Sequence, residues 1–278
     1  MDGFGAWSPT GREIAFMRDG QVMLTDPNGK RVRPLTSQPD FWDADPVWRP
    51  DGKALAFVRL STRDNQSQVM ELPLNGLPSA RTAAGQPREL ARESGPIGYL
   101  AWSPAGDALY YTTSDRIVRI TPASGKQEEV YQAPRGWELL SGGIAVTLDG
   151  RSLLFGGGPR LERGVEYDLY RLPVGGGDPE RLTTQGGIMP SLNPSGQVVA
   201  YRNPRGETGI YLMNLATKAV ERVLPDEPKA MFFHPDFSPN GQQLLVSRLL
   251  LTAPPERGRG GFTSNIYAYS LSANGGDR

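Results

Sequence analysis

The sequence predicts an all-β protein, a six-bladed β-propeller whose blades are four-stranded antiparallel sheets. Three observations carry the prediction. One turn motif recurs six times at near-regular spacing. Each copy is followed by short runs rich in β-branched and aromatic residues. Those runs come in sets of four before the motif returns.

The turns are "SPTG" (8–11), "RPDG" (49–52), "SPAG" (103–106), "TLDG" (147–150), "NPSG" (193–196) and "SPNG" (238–241). Their glycines, Gly11, Gly52, Gly106, Gly150, Gly196 and Gly241, are 41, 54, 44, 46 and 45 residues apart. Proline presets φ at the first central position of a type I turn, and glycine then takes φ > 0 where the chain re-enters the ladder. Four residues before each glycine stands a large apolar residue: Trp7, Trp48, Trp102, Val146, Leu192 or Phe237. These are the expected anchors of a first strand, and the three tryptophans are expected to be largely buried between blades.

A second strand is expected after each turn, at 13–18, 54–59, 108–113, 152–157, 198–203 and 244–249. A third follows at 21–26, 68–73, 116–121, 168–173, 209–214 and 265–270. A fourth, more polar run stands at 31–36, 87–92, 127–132, 179–184 and 220–225. Gly, Pro, Asn and Asp bound the runs, which marks strands rather than helices. The polar fourth run suits an outer edge, where charge and proline discourage aggregation. The first strand is read as the most apolar, lying nearest the axis. Residues 1–278 form a single domain with blades at approximately 3–37, 44–93, 97–133, 141–185, 187–226 and 232–278. No fourth run follows "NIYAYS" (265–270), so the last blade is expected to have three strands. Closure of the ring then rests on packing of blade six against blade one.

Composition narrows the function. Lys plus Arg is 30 and Asp plus Glu is 30, and this balance gives no basis for non-specific binding to nucleic acid or anionic membrane. There is no Cys, which excludes disulfides and thiolate chemistry and suits either redox compartment. No apolar run approaches the roughly 18 residues of a membrane span, so no membrane insertion is expected within the chain. The opening "MDGFGAW" has neither a basic nor an apolar signal region.

The unit "AWSPTGREIAFMRDGQVMLTDPNGKRVRPLT" (6–36) resembles the TolB-type, WD-like β-propeller repeat, whose pattern runs Trp-Ser-Pro-Asp-Gly, Ile-Ala-Phe, Ile-Tyr, Arg-Leu-Thr. Blades one, three, five and six match well; blade four has "TLDG" for "SPDG". The resemblance covers essentially the whole chain and implies architecture more than function. Such propellers occur as partner-binding domains and as accessory domains of peptidases. It implies a periplasmic or extracytoplasmic location; a protein or peptide partner and no cofactor are expected. The α/β domain that precedes the propeller in TolB, and the hydrolase domain that accompanies it in prolyl oligopeptidases, have no counterpart among these residues.

Catalytic motifs are sparse. No Gly-x-Ser-x-Gly elbow occurs, and His234 is the only histidine. Two readings of His234 stand: a side chain packed near the axis at the entrance of blade six, or a catalytic or metal-binding group. A propeller lyase of the oligogalacturonate type would need several. The glycine-rich "FGGGPR" (155–160) and "VGGGDPE" (174–180) lack the Lys-Ser/Thr of a phosphate loop and read as hairpin connections. Asp40, Asp43 and Asp45 could coordinate Ca²⁺ but lack the EF-hand pattern, and read as a solvated loop. No metal site and no catalytic residue are expected.

Propeller topology puts the repeated turns at one end of the ring and the more varied connections at the other. The varied end carries loops at 37–45, 60–68, 133–141, 157–167, 203–208, 226–234 and 252–265. They bring together Phe41, Phe232 and Arg259 with the candidate ligand-binding residues Trp42, Asp43, Arg63, Trp137, Arg160, Arg163, Arg205, Phe233, His234 and Arg257. Aromatic and Arg side chains dominate interface energetics, and variable loops on a rigid scaffold carry binding. The expectation is a non-catalytic propeller, a monomer, binding a protein, peptide or small ligand at this end, with an acidic or C-terminal peptide the first ligand type to try. The alternative is an accessory propeller that filters substrates for a larger peptidase-like enzyme.

Overall fold

Six antiparallel sheets follow one another around a central axis in the computed structural model, which describes residues 1–74, 85–253 and 261–271. Blade 1 holds β1 (Asp2–Trp7), β2 (Ile14–Arg18), β3 (Gln21–Thr25) and β4 (Arg33–Pro34). Blade 2 holds β5 (Phe41–Trp48), β6 (Ala54–Ser61), β7 (Ser67–Pro73) and β8 (Arg88–Glu93). Blade 3 holds β9 (Leu100–Trp102), β10 (Leu109–Thr112), β11 (Arg116–Thr121) and β12 (Lys126–Gln132). In blade 4 the first strand is split into β13 (Trp137–Glu138) and β14 (Ile144–Val146), followed by β15 (Ser152–Leu161), β16 (Gly164–Val165), β17 (Asp168–Pro173) and β18 (Glu180–Arg181). Blade 5 holds β19 (Ile188–Leu192), β20 (Val198–Asn203), β21 (Gly209–Asn214) and β22 (Val220–Pro225). Blade 6 holds β23 (Ala230–Phe237), β24 (Gln243–Ala253) and β25 (Gly261–Ser270), and has three strands among the described residues. No helix occurs among the described residues.

The repeated turn explains its own sequence. All six turn glycines have φ between +67° and +71°, a region costly for any residue with a Cβ. Each glycine N–H donates to the carbonyl three residues earlier at 2.8–2.9 Å. The side chain that opens the turn accepts the N–H five residues on, at 3.0 Å, in five of the six: Ser8, Ser103, Thr147, Asn193 and Ser238. That is why Ser, Thr or Asn stands there. The turns also mesh. A methyl group on Gly106, Gly150, Gly241 or Gly11 would touch Pro50, Pro104, Pro194 or Pro239 of the preceding blade's turn, the last across the closure, and one on Gly196 would touch Leu148.

Packing lies between blades. Leu24 and Leu35 meet Leu55 and Phe57, Leu90 meets Trp102 and Tyr111, and Phe155 and Tyr170 pack with Ile117 and Val130. The second strands, not the first, are the most fully buried: β2, β6, β10 and β15 are enclosed over most of their length, whereas β1, β5 and β19 are half-buried. A first strand has the central channel beside it, so only part of its surface is covered. Trp7 and Trp102 are buried as expected. Trp48 is only half-buried; its indole Nε1 donates to the Ala6 carbonyl at 3.2 Å, so its polar edge serves the neighbouring blade.

The ring closes by packing of blade 6 on blade 1. Trp7 and Ile14 pack with Leu245 and Ile266. A polar bond crosses the seam, from the Trp7 N–H to Asp236 Oδ2 at 2.8 Å; Ser191 of blade 5 lies 3.3 Å from the other carboxylate oxygen.

Two expectations about loops need correction. Residues 155–160 are not a hairpin connection but the middle of β15. The glycines serve close backbone approach, since a methyl on Gly142 would lie 1.8 Å from the Gly156 carbonyl oxygen. The connections at 157–167 and 252–265 hold paired strand among their described residues: β15 runs to Leu161 and pairs β16, and β24 pairs β25 as far as Ala253 opposite Gly261. Similarly, β5 begins at Phe41 and β23 at Ala230, so most of the aromatics assigned to inter-blade loops sit on strands.

Candidate functional site

Three residues before each anchor, in or directly before the strand that carries it, stand Phe4, Asp45, Tyr99, Gly143, Met189 and His234. Five of these six have φ > 0: Phe4 (54°), Asp45 (50°), Gly143 (75°), Met189 (58°) and His234 (51°). In blades 1, 2, 5 and 6 the ladder slips register at this point. A bulge re-aims one side chain out of the sheet, here toward the channel, and non-glycine residues adopt positive φ at a cost that surrounding structure must offset.

Two of these side chains, Phe4 and His234, meet Tyr99 of blade 3. Tyr99 Oη lies 3.1 Å from His234 Nε2. The Phe4 ring stands 4.2 Å from the His234 ring and 6.2 Å from the Tyr99 ring. Asp45 Oδ2 accepts the Leu100 N–H at 2.7 Å, tying blade 2 to blade 3. His234 Nδ1 is buried without a hydrogen-bond partner among the described residues. Desolvation, with a smaller contribution from the Arg202 charge, lowers the His234 pKa to about 3, so the imidazole is neutral. Desolvation raises the Asp45 carboxyl to about 7 and the Asp236 carboxyl to about 6, against the opposing hydrogen bonds from Leu100 and from Trp7 and Ser191. It also pushes the Tyr99 phenol well above the usual range.

Above this layer lies a second, ionic one. Asp2 faces Arg18, and Asp43 faces Arg59, at matching cross-strand positions of blades 1 and 2. Both pairs are bidentate, at 2.6–2.7 Å and 2.7–2.8 Å. Asp43 is 1% exposed, so it belongs to the blade interior rather than to a solvated loop. Arg202 bonds Asp226 bidentately at 3.0 and 2.8 Å and lies 4.1 Å from the Phe233 ring centroid. Asp168 accepts from Arg205 at 2.8 Å, Gly186 N–H at 2.9 Å and Thr183 at 3.1 Å, and also from Arg181.

The candidate residues divide accordingly. Trp42 is 45% exposed, its ring lying over Gly20 of the adjacent hairpin. Arg63 and Arg163 are exposed; Arg63 pairs with Asp40 at 2.7 Å, and Arg163 has no partner among the described residues. Arg160 is exposed but paired with Glu138. Trp137 packs on Tyr170 at 5.3 Å and is half-buried. Asp43, Arg205 and Phe233 are held in the ionic layer, and His234 lies in the channel layer. Arg257, like Arg259, lies outside the described residues. Asp40, Asp43 and Asp45 do not converge, because each has a different partner. Among the described residues no three His, Cys, Asp or Glu side chains group as metal ligands. Sequence reasoning missed Phe4, Asp45 and Tyr99 as a set, although their constant offset from the anchors was visible. It also missed the exposed Leu161, Met231, Leu251 and Phe262, which stand at the varied end with Trp42.

The strand order and bulged inner strands define a six-bladed propeller with an aromatic layer in its channel. No family model matches the sequence. No curated protein matches it. Solved structures share the fold. TolB from Acinetobacter baumannii superposes with a TM-score of 0.63 at 20% identity over 90% of this chain, which spans 60% of that protein's length. A protein assigned as TolB in Agrobacterium tumefaciens gives 0.68 at 18% identity, over 98% of this chain and 90% of the other. A puromycin-hydrolysing peptidase from Mycobacterium tuberculosis gives 0.61 at 16% identity, over 93% of this chain and 44% of the other. No helix among the described residues is long and apolar enough to cross a membrane.

Proposed function

We propose that the chain is a non-catalytic binding propeller whose partner is a protein or peptide engaged at the varied end of the ring. The observation that carries this reading is the exposure of Trp42, Leu161, Met231, Leu251 and Phe262 at that end, beside Arg63, Arg160 and Arg163. The opposite end is built from uniform meshed turns. Exposed apolar groups gathered at one end of the ring favour a protein partner, and unpaired or solvent-facing arginines favour carboxylates on it. His234 supports the non-catalytic reading, because Nε2 is committed to Tyr99 and the ring stays neutral. Likeness to TolB favours an extracytoplasmic location. Likeness to part of a peptidase supports a second reading, an accessory propeller that filters substrates.

The test is selection from a peptide library, followed by calorimetry on wild type, Trp42→Ala and Leu161→Ser, with Leu148→Ser at the turn end as control. The reading expects about tenfold weaker binding or more in the first two variants and no change in the control. The opposite pattern sinks it. Peptide hydrolysis lost in His234→Asn would overturn the non-catalytic reading.

A further inference from the structure

We propose that the outer edge of β25, with the groove beside it, takes an extended segment of another polypeptide as a fourth strand for blade 6. The segment would run antiparallel to β25 and carry a Leu or Val, followed by Thr or Ser, opposite Ile266. The stretch used, around Ile266 and Ala268, lies four to six residues along β25 from Phe262, and the proposal does not depend on the reading given for the varied end.

Five sibling blades show what covers such an edge. Their third strands each pair with a fourth: β3 with β4, β7 with β8, β11 with β12, β17 with β18, β21 with β22. β25 pairs with β24 along its length and has no strand on its other side among the described residues. In or directly after each fourth strand, one aliphatic residue enters the core shared with the following blade: Leu35, Leu90, Val130, Leu182 and Leu224. The corresponding core between blades 6 and 1 holds, among the described residues, Trp7, Ile14, Leu245 and Ile266. Beside it runs a groove of about 430 Å³, lined by Ile14, Phe16, Thr25, Val32 and Ile266. The hydroxyl of Thr25 is buried and lacks a hydrogen-bond partner among the described residues. The groove thus offers both an aliphatic socket and an unused polar group where a sibling blade would have a fourth strand.

The backbone is set for the same addition. In blades 1 and 4, Val22 and Leu169 present their N–H to the Thr36 and Thr183 hydroxyls at 3.0 and 2.9 Å. Their carbonyls accept from Leu35 and Leu182 at 2.8 Å. Val22 pairs with Met17, Leu169 with Gly156 and Ile266 with Ser247, each six residues after its turn glycine. Ile266 therefore turns its N–H and carbonyl outward, as does Ala268 two residues on. A Leu-Thr pair on the incoming strand would satisfy these groups and fill the socket, which is how strand addition gains both affinity and specificity.

A fluorescently labelled peptide with the sequence of residues 178–185, DPERLTTQ, is titrated into the whole chain by anisotropy. Saturable binding is expected, weakened about tenfold or more when the peptide's Leu becomes Asp. Hydrogen exchange at Ile266 and Ala268 should slow on binding. Ala268→Pro removes an outward N–H while sparing the β24 ladder; it should abolish binding with circular dichroism and melting unchanged. Deleting 272–278, or the variants Trp42→Ala and Leu161→Ser, should leave the affinity as it was. The proposal falls if the peptide does not bind up to its solubility limit, or binds Ala268→Pro equally. It falls also if binding needs the 272–278 deletion or is lost with Trp42→Ala. Self-association that Ala268→Pro abolishes would make a second copy the occupant and overturn it.

Discussion

Tyr99 of blade 3 and His234 of blade 6 meet 3.1 Å apart across the central channel, joining two blades that stand opposite one another in the ring. With Phe4 against the imidazole, they give the channel an aromatic floor. The bond leaves Nδ1 buried and unpartnered. A bare lone pair is less costly to leave unpaired than an N–H, so Nε2 should carry the proton and donate to Tyr99. Nitrogen-15 NMR of the imidazole is expected to show a neutral Nε2–H tautomer that does not titrate above about pH 4. A ring that protonates near 6.5 would contradict the packing.

The raised carboxyls make a stability profile of unusual sign. Asp45 (about 7) and Asp236 (about 6) hold their protons in the folded state at pH values where the unfolded chain has released them. Their contribution is therefore present below the unfolded pKa near 4 and is lost as pH rises to 7 and 6, respectively. His234, lowered to about 3, acts in the opposite direction between about 6.5 and 3. Each group contributes a slope of at most about 1.4 kcal/mol per pH unit. Urea midpoints measured from pH 4 to 7 should fall less in Asp45→Asn than in wild type; an unchanged slope would refute the shift.

Anchor burial predicts two different losses. Trp102→Ala empties a buried site and should cost roughly 3–5 kcal/mol. Trp48 is half-buried, and Trp48→Ala should cost about 2 kcal/mol, including its bond to the Ala6 carbonyl. Denaturant melts that rank them in reverse would show that the channel side, not the inter-blade side, dominates anchoring.

Much of this was legible in sequence because a turn has local chemistry. Six glycines at one φ, each with a Ser, Thr, Asn or Arg three residues before it, fix blade number and blade direction. Strand ends were less legible. The segments at 157–167 and 252–265 are rich in Gly, Pro and Arg and read as loops, yet two-stranded pairing continues into both among the described residues. The candidate site divides the same way. Residue type and loop placement marked Trp42 and Arg63 as candidates at the varied end but could not tell that Asp43 would find Arg59 inside the blade, because that partnership depends on cross-strand register.

The seam offers a test of closure. A side chain on Gly5 would meet Leu245 at 2.6 Å and Ile266 at 3.2 Å. Gly5→Val should destabilise by about 1–3 kcal/mol through overpacking. Hydrogen exchange should accelerate first in blades 1 and 6; uniform acceleration around the ring would mean the seam is no weaker than any other blade junction.

The meshing of turn glycine on the preceding proline makes the two ends of the molecule unequal as engineering sites. At the turn end, loop length is fixed by a neighbour's contact, so an inserted residue at 105 or 195 displaces the next blade. At the other end, hairpins range from the two-residue Asp19–Gly20 connection to the long ribbon of blade 6 with the rest of the ring unaffected. Foreign peptide loops grafted near 163 should therefore be carried without loss of the scaffold, and new specificities can be written on that end alone.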